Sequence, residues 1–489
     1  MSKAHLSKVP CVLAFCVAMA IASPAQTFTT LVNFDELVGY DPQVPPVQGV
    51  DGNFYGATFR GGANGAGMIF KMTPEGDLTT LYSFCAEREC PDGQFPFDAL
   101  VEGTDGDFYG TTLNGGQYER GTVFRFDPEG GLSTLYNFCS QANCADGNYP
   151  GQVLQGSDGN LYGITLTGGA NGAGTIFKLT PQGVLTTLYN LCSQGGCADG
   201  YYIDESLGTL IEGTDGNFYG TTDLGGNQAG YCRVYGCGTV FKITPQGKFT
   251  TIYRFCSQAN CADGADPYQL TQGADGYFYG VTGTGGSYSV VGGTIFKLSA
   301  EGGLTTLYSF CAQTDCPDGR EPISLAQAVG GGNFYGTTFF GGTSKDCANG
   351  CGAVFEITAT GAMTSLESFD GTDGNQPYGL AQAPSGTFYG VTSSGGAHTY
   401  GGTVYSLAAG LTPFVETQPT AGSVGTEVII LGNNLESATE VTFNGSPATF
   451  TVVSSFQIRA TVPKGATTGL VKVKTPVSTL SSNVAFQVK

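Results

Sequence analysis

The stretch LVEGTDGDFYGTTLNGGQYERGTVFRFDPEGGLSTLYNF, residues 100–138, decides the fold. It divides into four short runs rich in β-branched and aromatic residues, with turn residues between them. Leu100–Thr104 and Asp107–Thr112 flank Asp105-Gly106, a tight-hairpin pair because glycine accepts positive φ without steric cost. A Gly-Gly loop leads to Gly121–Phe126, and Pro128-Glu129-Gly130 turns the chain into Leu132–Phe138. No helical period runs through the segment. Four short antiparallel strands in a unit of about 55 residues suit one blade of a propeller.

The unit recurs along the chain. Phe-Tyr-Gly, once Leu-Tyr-Gly, sets its tyrosine at Tyr55, Tyr109, Tyr162, Tyr219, Tyr279, Tyr335 and Tyr389, at intervals of 54, 53, 57, 60, 56 and 54 residues. The fourth run returns at 28–34, 78–84, 132–138, 185–191, 249–255, 304–310 and 363–369, so its first copy precedes the first Phe-Tyr-Gly. The seventh unit ends at Thr403–Leu407 without one. This one-strand offset predicts a ring in which the N-terminal strand completes the last blade; an open solenoid has no use for it. Closure also hides strand edges that invite aggregation. The expectation is an all-β chain, with a seven-bladed β-propeller over 26–409 closed by its N-terminal strand. Phe108 and Tyr109, adjacent and both large, point to opposite faces of one strand. Burial on both faces explains that, so the repeated tyrosines read as packing residues rather than a ring of ligand-stacking ones.

The pattern D-G-N-F-Y-G-T-T, G-G, G-T-V-F-K-[LI]-T-P-x-G and L-T-T-L-Y-S-F resembles the GloVer tandem repeat of exported bacterial proteins, over about residues 27 to 408. The resemblance implies extracellular or cell-surface placement and brings no catalytic residues with it. Residues 411–489 resemble an IPT/TIG domain, through Pro419-Thr420-Ala421-Gly422, Val428–Leu435, Val441–Gly445, Ala460–Pro463 and Gly469–Val473. That second resemblance implies an immunoglobulin-like β-sandwich serving as a spacer or interaction module, a fold that does not specify activity.

Composition narrows the class further. Glycine is abundant, at 78 residues, but lacks a Gly-X-Y period, and charged residues reach only 12%, which sets aside collagen and coiled coils. Residues 1–25 read as a signal peptide: Lys3 and Lys8, the apolar Val9–Ala22, then Ser23-Pro24-Ala25. The apolar run is too short to cross ~30 Å of hydrocarbon. Its removal takes two lysines and no acid, moving the net charge from −20 to −22. Such a balance argues against nucleic acid and anionic membranes as partners. No membrane insertion is expected after processing.

Of the sixteen cysteines, Cys11 and Cys16 fall in the leader. The rest form seven local pairs: Cys85 with Cys90, Cys139 with Cys144, Cys192 with Cys197, Cys232 with Cys237, Cys256 with Cys261, Cys311 with Cys316, and Cys347 with Cys351. In an exported chain these predict disulfides. Zinc lacks partners, since His398 is the one histidine beyond the leader. Five pairs sit where a fourth strand exits. The pairs starting at Cys232 and Cys347 sit in loops joining second to third strands. Propeller topology puts all seven on one face, opposite the minimal Asp-Gly and Pro-x-Gly turns.

No cofactor is expected. On that face Asp92, Asp146, Asp199, Asp263, Asp318 and Asp373 suit either calcium or a repeated Asx-type turn, and the turn is the favoured reading. Residues that break the repeat are the binding candidates: Tyr118, Glu119 and Arg120, then Tyr231, Arg233 and Tyr235, then His398 and Tyr400. Aromatics mixed with charges suit sugar or peptide contacts. The expected function is a secreted or cell-surface, non-catalytic binding protein taking a glycan or protein ligand on its disulfide-rich loops. One alternative is a polysaccharide-acting enzyme with paired carboxylates in the central funnel; another is a structural envelope or matrix component. A histidine-dependent triad has little support in a chain with one mature histidine.

Overall fold

The computed structural model describes residues 26–202, 210–228, 232, 234–288 and 291–489. The expected leader, 1–25, and the candidates Tyr231 and Arg233 lie outside the described residues. Seven four-stranded antiparallel sheets follow one another through residues 27–408. Six are simple meanders. The seventh is built from Asn375–Gln382, Phe388–Ser394 and Thr403–Ala408, and its outer strand is Thr27–Asn33 from the other end of the chain. Thr27 pairs with Ala408 and Asn33 with Thr403, which closes the ring as the offset requires.

In the second blade the strands are Val101–Glu102, Phe108–Thr112, Thr122–Asp127 and Gly131–Asn137. The inner strand is thus shorter than the expected Leu100–Thr104. In blades three, five, six and seven it is longer, eight residues each, and starts within the Asp-Gly-x-x-Pro segment read as loop. A bulge after the proline lets the strand resume pairing despite the lost donor. Pro96 and Leu100 are separated by one residue more than Pro150 and Val153 or Pro267 and Leu270, so the pairing is lost there.

Between blades, each repeated tyrosine stacks on the aromatic ring that opens the next second strand. Ring centroids are 4.3 Å apart for Tyr55–Phe108, 3.9 Å for Tyr162–Phe218, 4.2 Å for Tyr219–Phe278, 4.2 Å for Tyr279–Phe334 and 4.6 Å for Tyr335–Phe388. Tyr389–Phe54, at 4.0 Å, joins the last blade to the first. The exception is Leu161, which packs in one cluster with Tyr109. The tyrosine hydroxyls reach the short-turn face, where Asp51, Asp105, Asp158, Asp215 and Asp275 accept them at 2.6–3.0 Å. Lys71, Lys178, Lys242 and Lys297 bind four of the same carboxylates. Burial opposes ionisation of Asp158 and Asp215, but the lysine and the asparagine donors prevail and hold both at about 2.

A second inter-blade contact has no counterpart in the sequence reading. The last residue of each inner strand is Gln48, Glu102, Gln155, Glu212, Gln272, Gln327 or Gln382. Six of them accept a backbone N–H from the turn of the preceding blade, at 2.7–3.0 Å: Val50 to Glu102, Thr104 to Gln155, Ser157 to Glu212, Thr214 to Gln272, Ala274 to Gln327 and Val329 to Gln382. At the seventh junction the donor position is Pro384, which has no N–H. Gln48 Oε1 is accordingly buried without a partner.

Residues 416–488 form the sandwich. One sheet orders Glu416–Gln418, Glu427–Leu431, Gln457–Thr461 and Phe450–Val452; the other contains Thr479–Val488, Gly469–Lys474 and Glu440–Phe443. Val428, Ile430, Phe443, Val471, Val473 and Phe486 fill its core. This module lies against the short-turn face of the propeller. Phe414 N donates to Pro384 O at 2.9 Å, Lys489 Nζ to Ser157 Oγ at 3.1 Å, and Gln418 Nε2 to Glu102 Oε2 at 3.4 Å. The Phe456 ring covers Gly52 so closely that a Cβ there would fall 2.6 Å from it.

Removing the closing strand tests this architecture. A chain beginning at Asp35 leaves the Thr403–Ala408 edge open and discards fully buried Phe34. It is expected to melt well below the parent and to elute as aggregate in size-exclusion chromatography. Phe34→Ala alone is expected to cost about 3–5 kcal/mol in urea denaturation. Parental stability for both would mean the ring is not closed by this strand.

Candidate functional site

All seven expected disulfides are present. Cys85 bonds to Cys90, Cys139 to Cys144, Cys192 to Cys197, Cys232 to Cys237, Cys256 to Cys261, Cys311 to Cys316, and Cys347 to Cys351. Their placement sharpens the expectation that they decorate the loop surface. The second cysteine of each pair points inward: Cys90, Cys237, Cys261, Cys316 and Cys351 are buried, and Cys144 and Cys197 are half-buried. None of the fourteen is exposed, so the bridges pin the loops to the propeller and are not themselves contact surface.

In every Cys-x₄-Cys loop that follows a fourth strand, both cysteines adopt positive φ, between 47° and 64°. That conformation costs a non-glycine residue roughly 1 kcal/mol, so something must hold the loop. The aspartate of Asp-Gly-x-x-Pro does so. Asp146 accepts Tyr136 OH at 2.8 Å, Ser140 N at 2.9 Å and Gln141 N at 3.2 Å; Asp199 and Asp263 repeat the pattern. Asp92 and Asp318 accept the corresponding tyrosine and Cys85 N or Cys311 N, and Asp373 accepts Asp370 N. These carboxylates are loop clamps filled by protein donors. Among the described residues, the one His/Cys/Asp/Glu group at ligand spacing is Cys232, Cys237 and Cys261, whose sulfurs are in disulfides. The aspartates do not converge as a calcium site requires.

The loops between second and third strands carry exposed aromatics around this face. Tyr118, Tyr235, Tyr288 and Tyr400 are 41%, 55%, 64% and 77% exposed. Tyr288 is an addition to the candidates read from sequence, although it too interrupts the repeat. Glu119 is exposed at φ 59°, the tip of its loop. Arg120 is exposed and also touches the scaffold: its guanidinium donates to Tyr149 OH and lies 5.4 Å from that ring. His398 and Tyr400 line a shallow hollow at the closing seam together with Asp35, Glu36, Leu37 and Tyr40. The candidates therefore occupy separate loops along one face rather than one pocket.

A half-open pocket lies elsewhere, in the central channel. It holds about 310 Å³ and is bounded by inner strands of blades one, two, three, five, six and seven. Gln48, Asp98, Gln152, Gln269 and Ser324 supply polar groups, while Val47, Phe54, Leu100, Ile323 and Tyr378 supply apolar ones. Glu416, from the first strand of the sandwich, reaches the same cavity. Asp98 is only 4% exposed, and Thr111 beside it favours its ionised form against the effect of burial. Burial pushes the Asp98 carboxyl up to about 7. Burial also raises Glu416 and Glu102 to about 7, although Val50 N and Gln418 oppose the shift at Glu102. Burial thus shifts all three carboxyls in the same direction, upward. No signal in the repeat marks Asp98 except the extra residue before Leu100.

Comparison with known proteins agrees with this architecture. A family model for the Gloeobacter/Verrucomicrobia repeat matches residues 17–232 and 206–445, and one for the IPT/TIG domain matches residues 414–488. No curated protein matches the sequence. Among solved structures, virginiamycin B lyase from Staphylococcus aureus superposes with a TM-score of 0.51 at 13% identity, over 78% of this chain and 99% of that one. The extracellular domain of a hybrid two-component system from B. thetaiotaomicron gives 0.50 at 11% identity, over 91% of this chain and 53% of that one. A second such domain from that organism gives 0.50 at 10%, over 96% and 60%. This chain spans less than two thirds of either domain's length. At such identities the likeness concerns the fold. Among the described residues, no helix is long and apolar enough to cross a membrane.

The channel acids predict an unusual pH profile. A carboxyl raised to about 7 keeps its proton in the folded state after the unfolded chain has lost it. Its stabilising contribution is full below about pH 4 and disappears as pH rises to about 7. Asp158 and Asp215, held at about 2, act oppositely and lose their contribution as pH falls below about 4. Stability measured by urea denaturation should peak near about pH 4–5 and decline toward pH 8. Asp98→Asn should remove on the order of 3 kcal/mol of that decline. An unchanged slope in the variant would refute a buried protonated Asp98.

Proposed function

The chain belongs to the Gloeobacter/Verrucomicrobia repeat family, and from that premise we propose that it is an exported, non-catalytic binding protein. Its ligand surface is the disulfide-bearing face of the propeller, and its ligand a glycan or a protein. One observation carries the choice of face: the sandwich rests on the short-turn side, through Phe414, Gln418, Phe456 and Lys489. The long loops are left open to solvent. Each of the five Cys-x₄-Cys loops that follow a fourth strand is clamped by an aspartate and a disulfide, so little loop entropy is lost when a partner docks. Tyrosines on such a face provide amphipathic contact area at low conformational cost. Seven disulfides suit an oxidising compartment, which supports export. The sandwich serves as an interaction module toward its own propeller.

The test is a triple variant, Tyr118→Ala, Tyr235→Ala and Tyr400→Ala, compared with the parent on a glycan array and against surface proteins of the producing cell. Retention by the parent should fall at least tenfold in the variant, with no change in melting temperature because all three rings are exposed. Equal retention by both proteins would place the ligand surface elsewhere. Absence of any retained glycan or protein would reject the binding function.

A further inference from the structure

The loop face is not an even rim. Four of the disulfide-closed exits take eleven residues to reach the positive-φ residue that precedes an inner-strand proline, as from Phe255 to Asp266. Two exits take only seven, Phe34 to Asp41 and Phe369 to Gln376, and neither carries a cysteine. Because Thr27–Asn33 is the outer strand of the seventh blade, the two short exits flank that one blade. Over this sector the raised rim is missing, and the hollow at the closing seam lies within it. The surface so uncovered is apolar. Among the described residues of the propeller, Leu37 and Tyr400 are the two most exposed large hydrophobics, at 86% and 77%, and both line the hollow. Val38 is exposed beside Leu37. Apolar chains gathered in the open mark a surface that a partner covers.

Two carboxylates stand in the same hollow and restrict the kind of partner. Asp35 Oδ1 accepts Leu37 N and Val38 N, both at 2.9 Å, and Glu36 is exposed. Among the described residues neither forms an ion pair, whereas four lysines of the short-turn face are each held by an aspartate. Tyr40 and Tyr400 add aromatic rings to the lining. Open carboxylates beside aromatic rings attract a lysine or arginine, through charge and through the ring quadrupole. Aliphatic Leu37 is matched by another apolar side chain and poorly by the hydroxyls of a sugar. At about 510 Å³, the hollow is within the size range of ligand sites. The net charge of −20 steers basic partners toward the chain. We propose that this gap docks a basic protein, which seats a lysine or arginine against Glu36 and Tyr400 and lays an adjoining apolar side chain on Leu37. The site depends on the loop face being the ligand surface, and it makes the partner a protein rather than a glycan.

Panning a phage-displayed dodecapeptide library on the full mature chain tests this, with the enriched peptides remeasured by fluorescence polarisation. Those peptides should share a lysine or arginine next to an aliphatic or aromatic residue. Glu36→Gln and Leu37→Ser should each weaken them about tenfold, with melting temperature unchanged because both side chains are exposed. Binding should also fall as sodium chloride rises from about 50 to about 500 mM. Replacing residues 35–40 with the disulfide-closed segment 256–265 lengthens this exit to match its neighbours and fills the gap. That chimera, confirmed folded by circular dichroism, should lose the peptides. Val184→Ser, 61% exposed on the opposite face, should keep them. Enriched peptides without a basic residue overturn the charge assignment, and undiminished binding by both point variants overturns the location. No enriched peptide overturns the site altogether; a glycan retained by the same chain would then leave the loop face as the ligand surface with this gap unused.

Discussion

A four-stranded blade has two apolar faces and no means of covering either by itself. In this chain the cover is the next blade, and the contact that recurs at almost every junction is a tyrosine laid against the following aromatic ring. Six such pairs, including Tyr389 on Phe54, have centroid separations of 3.9–4.6 Å. Because every blade depends on both neighbours, an open row would leave two uncovered faces. The pairing of Thr27–Asn33 with Thr403–Ala408 turns the row into a ring and satisfies both ends with one strand. The rest of the structure, from the loop face to the channel, inherits its geometry from that closure.

This dependence explains what could be read from the sequence. Packing between identical neighbours demands the same residues at the same spacing, so Phe-Tyr-Gly and the displaced fourth strand announced both the blade count and the closure. The cysteine pairs were equally legible because each closes within one loop, though spacing alone does not say that Cys90, Cys316 and Cys351 turn into the core. Legibility fell where contacts cross between unlike elements. The Gln and Glu residues at inner-strand ends look like solvent-facing polar positions, yet they bind N–H groups some fifty residues away in sequence, such as Val50 for Glu102. Asp146 and its equivalents could be ligands or clamps by spacing alone. Donors from Tyr136 and the following backbone decide for clamps. Arg120, a binding candidate by its break in the repeat, is exposed and also bonds Tyr149 of the next blade, a contact that spacing does not announce.

The two faces of the ring were distinguishable by loop length, but not by what occupies them. Short turns leave a flat surface, and flat surfaces accept another module without steric conflict. The sandwich uses that surface through its first strand and its C-terminal end, and in doing so places Glu416 at the channel. The Cys-x₄-Cys loops opposite are taller and individually stiffened, which suits recognition more than internal packing. Sequence could assign the sandwich its fold, but neither its seat nor its carboxyl group, since no repeat partner exists for either.

In a repeated architecture, a position that obeys the repeat is explained by the ring, and only a departure requires another cause. Departures on the outer face are scattered over separate loops, as expected where exposure relaxes constraint. Departures in the channel are different, because the inner strands are the most confined part of the molecule. There Pro384 removes a hydrogen bond that six other junctions make, the pairing of blades one and two is cut short, and the Asp98 carboxyl is buried beside Thr111. Each costs stability, and a ring with seven near-equivalent junctions had six templates for avoiding it.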